Sequence, residues 1–457
     1  MESAADYWKP YEPTAAAPWN RRRAVHLHRR AGFAATWAEL ERDLAGNPQD
    51  AVTRLIAGQA RIDAVPGDFE ALAKMLTDAA TASQLDRRLK AAWVFRMLFS
   101  PDPLGERLTL LWHNHFATSN LKVQNLKFID AQNDVLRRHG RAPFGELLAA
   151  AVHSPAMLVW LDADKNVSAH PNENLGRELM ELFTLGIGNY TEADVQQAAR
   201  ALTGWKVVAD QFRFRGERHD GGEKTILGQT AKFDGDGLLA LLIEQPATAR
   251  RVAWRLCRMM LGEPLIDDAA IDALAESLKK HDLNIGGAVE IVLRSERFFA
   301  AENIAATIAA PPQYVIGTVR ALECFVPPPS TLLLAGWMTR MGQDLFYPPN
   351  VGGWSEGKAW LASGAIVARA NFLTALVEGR LAQSGAARDF GPLIQRHCGE
   401  VNLAQSVEWL AELAFGGLPQ SITHGVEREA ASRGKDGASA LSSAILLLFS
   451  RPEAHLA

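Results

Sequence analysis

The sequence predicts an all-α protein, mainly helical and composed of many helices, with one small inserted β-hairpin. Three observations predict this fold class. Apolar residues recur at helical spacing through most of the 457 residues, capping signals precede several of these stretches, and strand-like alternation is confined to one segment. Hydrophobic residues form 48% and charged residues 22% of the chain, as is typical of a globular protein.

Helix signals begin near the N-terminus. Thr36 and Glu39 form a capping box ahead of an apolar stretch. Asn47 and Pro48 are typical of a helix start, and Gly58 is placed as the stop of the same helix. The spacing of apolar residues then predicts helices over residues 69–76, 85–97, 104–118, 127–139, 172–185 and 191–202.

Strand signals cluster in one place. Phe212 and Phe214 alternate with polar residues, and glycines separate them from a second extended stretch at 224–227. This pattern predicts one hairpin within residues 205–228. After it, apolar spacing predicts helices over residues 238–243, 246–261, 270–280, 285–294, 330–341, 360–381, 403–413 and 438–449.

The expected domain organisation has three parts. Residues 1–25 form an N-terminal arm, and residues 26–305 form the main helical domain that carries the hairpin. Residues 306–457 form a C-terminal helical part packed on this domain. The boundary is placed near residue 305 because proline-rich segments that interrupt the helices begin there.

Charge and hydropathy exclude several classes of protein. The net charge is −4 and no basic stripe is present, so no nucleic-acid partner is expected. The sequence has no run of about 18 apolar residues, so no membrane span is expected. Residues 1–23 lack the apolar region of a signal peptide, which makes the cytoplasm the default location. The three cysteines are far apart and predict neither a disulfide scaffold nor a zinc site.

A helical wheel of residues 104–118 places one histidine on the leucine stripe. His115 continues that stripe, and Arg107 and Asn114 flank it. His113 falls on the opposite side, near Glu106, so the two histidines cannot bind one metal ion from a regular helix. His115 is therefore either a functional residue or a core histidine that donates to a backbone carbonyl.

The helix predicted over 172–185 carries a carboxylate in its leucine stripe. Glu178 shares this face with Asn174 and Glu181, whereas Arg177 points about 100° away. A carboxylate buried there must be paired, metal-bound or protonated, because burying it alone costs several kcal/mol.

Two interpretations of this face remain open. The first is a buried ion-pair network that fixes the register of the helices. The second is a functional site in which Glu178, Glu181 and His115 act as acid, base or metal ligands. A transition metal is a candidate cofactor in the second case, although the Glu-x-x-His motif of di-iron bundles is absent.

Two further segments are candidates for binding. His219, Asp220 and Lys224 lie around a Gly-Gly pair in the predicted hairpin, but the spacing does not match a phosphate-binding loop. The loop 346–354 is rich in proline, glycine and aromatic residues and either lines a pocket or packs.

Several of these segments together resemble the bacterial domain-of-unknown-function family numbered 1800. They run in the family's order and span most of the chain. The matching segments are His26 to Phe33, Glu106 to Phe116, Asn172 to Gly186, Tyr190 to Val195, Leu202 to Trp205, His219 to Gly228 and Phe346 to Trp354.

The resemblance implies a bacterial protein of helical fold. It also implies genomic pairing with a second uncharacterised family, numbered 1501, which looks like alkaline phosphatases and sulfatases and is often exported. A protein of that family is therefore an expected partner. The resemblance implies no reaction. This chain has Phe183 where many members have histidine.

Two function classes follow. An enzyme would use Glu178 as buried acid, base or ligand, His115 as its partner and Arg177 as an anion clamp, in a cleft shared with Asn114, Asn174 and the His219 hairpin. The alternative is a non-catalytic binding or assembly partner of a phosphatase- or sulfatase-like protein. In that alternative the polar groups satisfy each other, and an apolar patch is exposed elsewhere. The variety of polar residues favours the enzyme.

Overall fold

A computed structural model of the chain describes residues 7–62, 67–382 and 385–457. Most of this part is helical, and two small antiparallel two-stranded sheets are inserted, so the predicted fold class is confirmed. Residues 1–6 of the predicted N-terminal arm lie outside the described residues. Helix α1 begins at Arg21, inside the segment predicted as an arm.

The first helices cover the segment up to the hairpins. Their bounds are α1 Arg21–Ala31, α2 Trp37–Leu44, α3 Pro48–Ile56, α4 Phe69–Ala82, α5 Asp86–Phe99, α6 Pro103–His115, α7 Asn120–Val123, α8 Leu126–His139, α9 Phe144–Val152, α10 Pro155–Trp160, α11 Asn174–Glu178 and α12 Glu192–Ala201. Both side-chain bonds of the capping box at Thr36 and Glu39 are formed.

The remaining helices follow the hairpins. Their bounds are α13 Gly235–Glu244, α14 Pro246–Met260, α15 Asp268–Lys280, α16 Ile285–Arg294, α17 Glu296–Phe299, α18 Pro311–Ala321, α19 Thr331–Arg340, α20 Ser363–Val377, α21 Gly391–Cys398, α22 Leu403–Phe415, α23 Gln420–Arg433 and α24 Gly437–Phe449. Within the described residues, no helix combines the length and the apolar character needed to cross a bilayer.

The β insertion contains two hairpins where the sequence predicted one. Strand β1 (Trp205–Val208) pairs with β2 (Gln211–Phe214), and β3 (Lys224–Ile226) pairs with β4 (Gln229–Ala231). Each hairpin closes through a two-residue loop whose residues both have positive φ, a backbone that matches the twist of paired strands. Phe212 and Phe214 therefore pair with the preceding strand and not with residues 224–227.

Two hydrophobic clusters form the core: the buried residues of the first all precede residue 305, and the second contains residues from both sides of it. The first includes α6, α9 and α14, whereas the second joins α5 to helices α18–α24. Helix α6 contributes to both clusters, through Leu108 and Leu110 respectively. The boundary near 305 stays a prediction, and the second cluster packs helices from both sides of it together.

A buried ion pair connects the N-terminal capping box to α18. Arg320 donates to both carboxylate oxygens of Glu39, at 2.8 and 2.7 Å, and Thr36 N–H donates to the same carboxylate. Burial raises the pKa of Glu39, but Arg320 and its other polar neighbours outweigh burial and hold it below its usual value. Each charge is therefore matched inside the protein, as a buried pair requires.

Candidate functional site

His115, the last residue of α6, is buried and has both ring nitrogens in hydrogen bonds. Its Nε2 lies 3.0 Å from the carbonyl oxygen of Phe183, and its Nδ1 lies 3.1 Å from Nε of Arg255. A carbonyl can only accept, so Nε2 carries the proton and Nδ1 accepts from Arg255. Burial, reinforced by the charges of Arg255 and Arg251, holds the pKa of His115 well below its usual value. His115 is therefore a neutral residue that orients Arg255.

The partner of His115 lies in a π-helical turn. Helix α11 ends at Glu178 and continues as a π turn over Leu179–Thr184, so the predicted helix 172–185 is not regular throughout. The carbonyl of Phe183 accepts from His115, and that of Leu182 accepts from Arg251. A helix end leaves such carbonyls without backbone partners, and basic side chains are favoured there.

Glu178 is half-buried, and its side chain makes no hydrogen bond or ion pair within the described residues. Burial, followed by the charge of Glu181, raises its pKa. Glu181 accepts a hydrogen bond of 2.8 Å from the Tyr190 hydroxyl. Asn174 is exposed at the start of α11. The two carboxylates are thus neighbours, and their mutual repulsion favours protonation of Glu178.

Arg177 points away from these carboxylates, towards α12. It forms two hydrogen bonds with Glu192, at 2.8 and 2.7 Å, and one with Glu173 at 3.0 Å. The bonds to Glu192 are the largest cause that raises the pKa of Arg177. Its guanidinium is thus already matched by two carboxylates.

The predicted hairpin cluster forms a closed network. Arg200 donates to both oxygens of Asp220, at 2.7 and 3.1 Å, and lowers the pKa of Asp220 to about 2. Lys224 is buried and donates to the backbone oxygens of Asp220 and Gly222. His219 contacts Thr203 through Nδ1. These bonds tie the second hairpin to α12.

A cavity of about 280 Å³ lies beside Asn114, between α6, α14 and the loop that precedes α20. Much of its wall is apolar, including Leu111, Met259, Ile308 and Trp360. Its charged lining residues are Arg107, Arg255, Arg258, Lys358, Glu263 and Glu356. Of the sequence-predicted residues, Asn114 lines the cavity directly, and His115 lies behind it through Arg255. Glu178, Glu181, Arg177 and Asn174 are not part of the wall.

The two buried arginines of the wall lack acidic hydrogen-bond partners. Arg107 is 8% exposed, its Nε has no partner among the described residues, and no carboxylate there forms an ion pair with it. Arg255 is 9% exposed and donates only to the neutral His115 in the described part of the chain. Burial lowers the pKa of each to about 10, partly offset by the charge of Glu356. Both guanidinium groups remain charged at neutral pH.

Asn114 holds the loop that closes the cavity. Its Oδ1 accepts from the backbone N–H of Trp354, and its Nδ2 donates to Oε1 of Glu356, both at 2.7 Å. Gly353 has φ of +86°, and a Cβ there would lie 2.1 Å from Oδ1 of Asn114. The close approach of loop and helix therefore requires glycine.

The aromatic residues of the loop 346–354 pack, whereas residues just after the loop line the cavity. Phe346 and Trp354 contact the ring of His113, with centroids 5.7 and 5.2 Å away. Burial lowers the pKa of His113 to about 3. Trp360 lies in the cavity wall. Of the two roles left open by the sequence, the aromatic residues of the loop 346–354 therefore show packing, and the cavity wall is formed by residues that follow the loop.

Metal binding by the predicted ligands does not fit this geometry. No group of three or more His, Cys, Asp or Glu residues in the described part could hold a metal ion. His115 has no free nitrogen, because Nε2 donates to Phe183 and Nδ1 accepts from Arg255. A metal ion at His115 would have to displace one of these partners.

Sequence reasoning missed the contribution of α14. Arg251, Arg255 and Arg258 surround Trp254, and their guanidinium carbons lie 5.0, 5.4 and 5.4 Å from its ring centre. A spacing of four and three residues places the arginines on one helix face. A helical wheel of this segment would have found the basic face, but not its position against α6.

The bonding of His115 predicts an NMR signature. With ¹⁵N-labelled histidine, His115 is expected to show the neutral Nε2–H tautomer from pH 5 to pH 8, because burial and two nearby arginines oppose protonation. The His115→Asn variant identifies its resonances, and zinc should leave them unchanged. Titration of His115 within this range, or a zinc-induced shift, would contradict the geometry.

The raised pKa of Glu178 predicts a pH-dependent effect of its removal. A raised folded-state pKa means that stability is lost as pH rises through it. Glu178→Gln should therefore raise the free energy of unfolding at pH 7, by less than about 1 kcal/mol because solvent screens the charge. The gain should vanish at pH 4 in urea denaturation.

Glu192→Gln provides the matched control for this measurement. The pKa of Glu192 is lowered, chiefly by its hydrogen bond from Arg177, so its removal should destabilise at pH 7. If Glu178→Gln destabilises the protein at pH 7 as Glu192→Gln does, Glu178 has an attractive partner and the assignment is wrong.

Comparison with known proteins identifies the family. No curated protein and no solved structure matches the chain. The model of the family described as "Protein of unknown function (DUF1800)" matches residues 26–456, nearly the whole length. The chain therefore belongs to this family, as its sequence segments predicted.

Proposed function

We propose that this protein binds a small anionic organic molecule in the cavity between α6 and α14. The supporting observation is the pair of buried guanidinium groups, Arg107 and Arg255, that have no acidic hydrogen-bond partner in the described residues. A buried charge without a partner costs several kcal/mol. A carboxylate, phosphate or sulfate group offsets this cost through charge-assisted hydrogen bonds.

The size and lining of the cavity indicate the kind of molecule. A volume of about 280 Å³ is near the lower limit of the volumes of small-molecule sites. A cavity of this volume cannot enclose a folded protein. The apolar side chains of Leu111, Met259, Ile308 and Trp360 provide contacts for carbon atoms. Together they favour an organic anion over a bare inorganic ion.

Within this proposal, two of the sequence-predicted residues are positioning residues. His115 fixes Nε of Arg255, which leaves the terminal nitrogens of that arginine for the ligand. Asn114 holds the loop that carries Glu356. Glu178, Glu181 and Arg177 lie outside the cavity wall, so we assign them no contact with the ligand.

Between the two classes predicted from the sequence, the cavity favours small-molecule chemistry. An assembly partner is expected to have polar groups that satisfy each other, as Arg177 does with Glu173 and Glu192. In the cavity, Arg107 contacts the Phe33 ring but has no hydrogen-bond or ion-pair partner within the described residues. A substrate or ligand site accounts for such a group, whereas a docking surface for a protein of the family numbered 1501 does not require it.

Selenate and pentanoate are suitable probes for this proposal. In crystals soaked with selenate, anomalous density is expected beside Arg107 and Arg255. In calorimetry with pentanoate, Arg107→Gln should weaken binding about 10- to 100-fold, because a hydrogen bond to a charged group contributes about 1.5–3 kcal/mol.

Arg177→Gln is the matched control, since that arginine is already paired with two carboxylates. It should leave both the density and the pentanoate affinity unchanged. The proposed function would be overturned if neither a simple acid nor an aminocarboxylate binds the wild type, or if binding is lost in Arg177→Gln and kept in Arg107→Gln.

A further inference from the structure

Glu356 places a negative charge among the arginines of the cavity. Its Oε2 lies 3.5 Å from Nε of Arg258, and its Oε1 accepts a hydrogen bond of 2.7 Å from Asn114. It is also close enough to Arg107 and Arg255 for its charge to act on both. An anion bound by these two arginines would therefore lie near a fixed carboxylate.

Most of the hydrogen-bonding capacity of Glu356 is unused. A carboxylate offers about four acceptor positions. Within the described residues one position of Glu356 is taken by Asn114, and the contact with Arg258 is at the outer limit of a hydrogen bond. The side chain is 36% exposed and belongs to the cavity wall. Its free acceptor positions are thus available to a ligand.

A carboxylate in this place disfavours a simple anion. Like charges repel more strongly in a partly buried site than in water, because the effective dielectric constant is lower. Glu356 therefore opposes the binding that Arg107 and Arg255 favour. A cationic group on the ligand, next to its anionic group, converts this repulsion into attraction and gives specificity.

We propose that the ligand is zwitterionic, with its anionic group on Arg107 and Arg255 and its cationic group on Glu356. This inference rests on the proposed function, because it assigns the ligand class of the same cavity. The chemistry is that of an amino acid or a similar small aminocarboxylate. The apolar wall formed by Leu111, Met259 and Ile308 fits the carbon chain of such a molecule.

Pairs of nearly isosteric probes test the inference, because a methyl group has almost the size of an ammonium group. Leucine is compared with 2,4-dimethylpentanoate, and 4-aminobutyrate with pentanoate, by calorimetry on the full chain. In at least one pair the amino compound should bind about tenfold tighter or more, as expected for a charged hydrogen bond. Equal or weaker binding of the amino compound in both pairs would overturn the inference.

Glu356→Gln assigns the preference to one residue. Glutamine keeps an acceptor for Asn114, so the loop stays anchored while the charge is lost. The variant should bind the simple acid more tightly than the wild type does. Its affinities for the amino compound and for the simple acid should differ by no more than about twofold, because the charged hydrogen bond is lost. Glu263→Gln, at the other carboxylate of the wall, should keep the preference. Loss of the preference in Glu263→Gln alone would overturn the assignment to Glu356.

The outcomes separate this inference from the proposed function. If the amino compound and the simple acid bind equally and Arg107→Gln weakens both, anion binding stands and the zwitterionic ligand is refuted. If no probe binds and Arg107→Gln changes nothing, the anion site itself is refuted. Urea denaturation of Glu356→Gln checks that the variant is folded before either comparison.

Discussion

The buried charge of Arg107, which forms no ion pair within the described residues, is the constraint on which the proposed site depends. Elsewhere in the interior, Arg320 meets Glu39 with two short hydrogen bonds, so the fold can pair a buried guanidinium fully. In the cavity, Arg107 has no such partner in the described residues. Other buried arginines without a carboxylate partner, such as Arg30 and Arg369, donate to backbone carbonyls instead. The charge of Arg107 has neither kind of partner there, and such a charge costs stability.

Arg255, the second arginine of the cavity, is held by a chain of hydrogen bonds that begins at a backbone carbonyl. The π turn presents the carbonyl of Phe183, this carbonyl fixes the proton of His115 on Nε2, and the opposite nitrogen holds Arg255. The same turn accepts from Arg251. The π turn thus orients the guanidinium of Arg255 through His115, although the turn itself does not line the cavity.

The sequence predicted the fold class and the buried stripe of α6, because both depend on local periodicity. The wheel that put Arg107 and Asn114 beside His115 describes a regular helix, and α6 is one. The wheel of 172–185 could not describe a π turn. Arg255 and Glu356 lie 140 and 242 residues from their partners in α6, and a single sequence carries no signal for such contacts.

The most direct test of the role of Arg107 is the free energy of unfolding measured without added anion. Replacing Arg107 with Met keeps the aliphatic packing and removes the unpaired charge, so the free energy of unfolding should rise by about 1–3 kcal/mol in urea denaturation at low salt. The same change at Arg320 leaves the buried Glu39 without its ion-pair partner and should lower the free energy of unfolding by about 3–5 kcal/mol. If Arg107→Met destabilises the protein as Arg320→Met does, Arg107 serves the structure and the anion site does not exist.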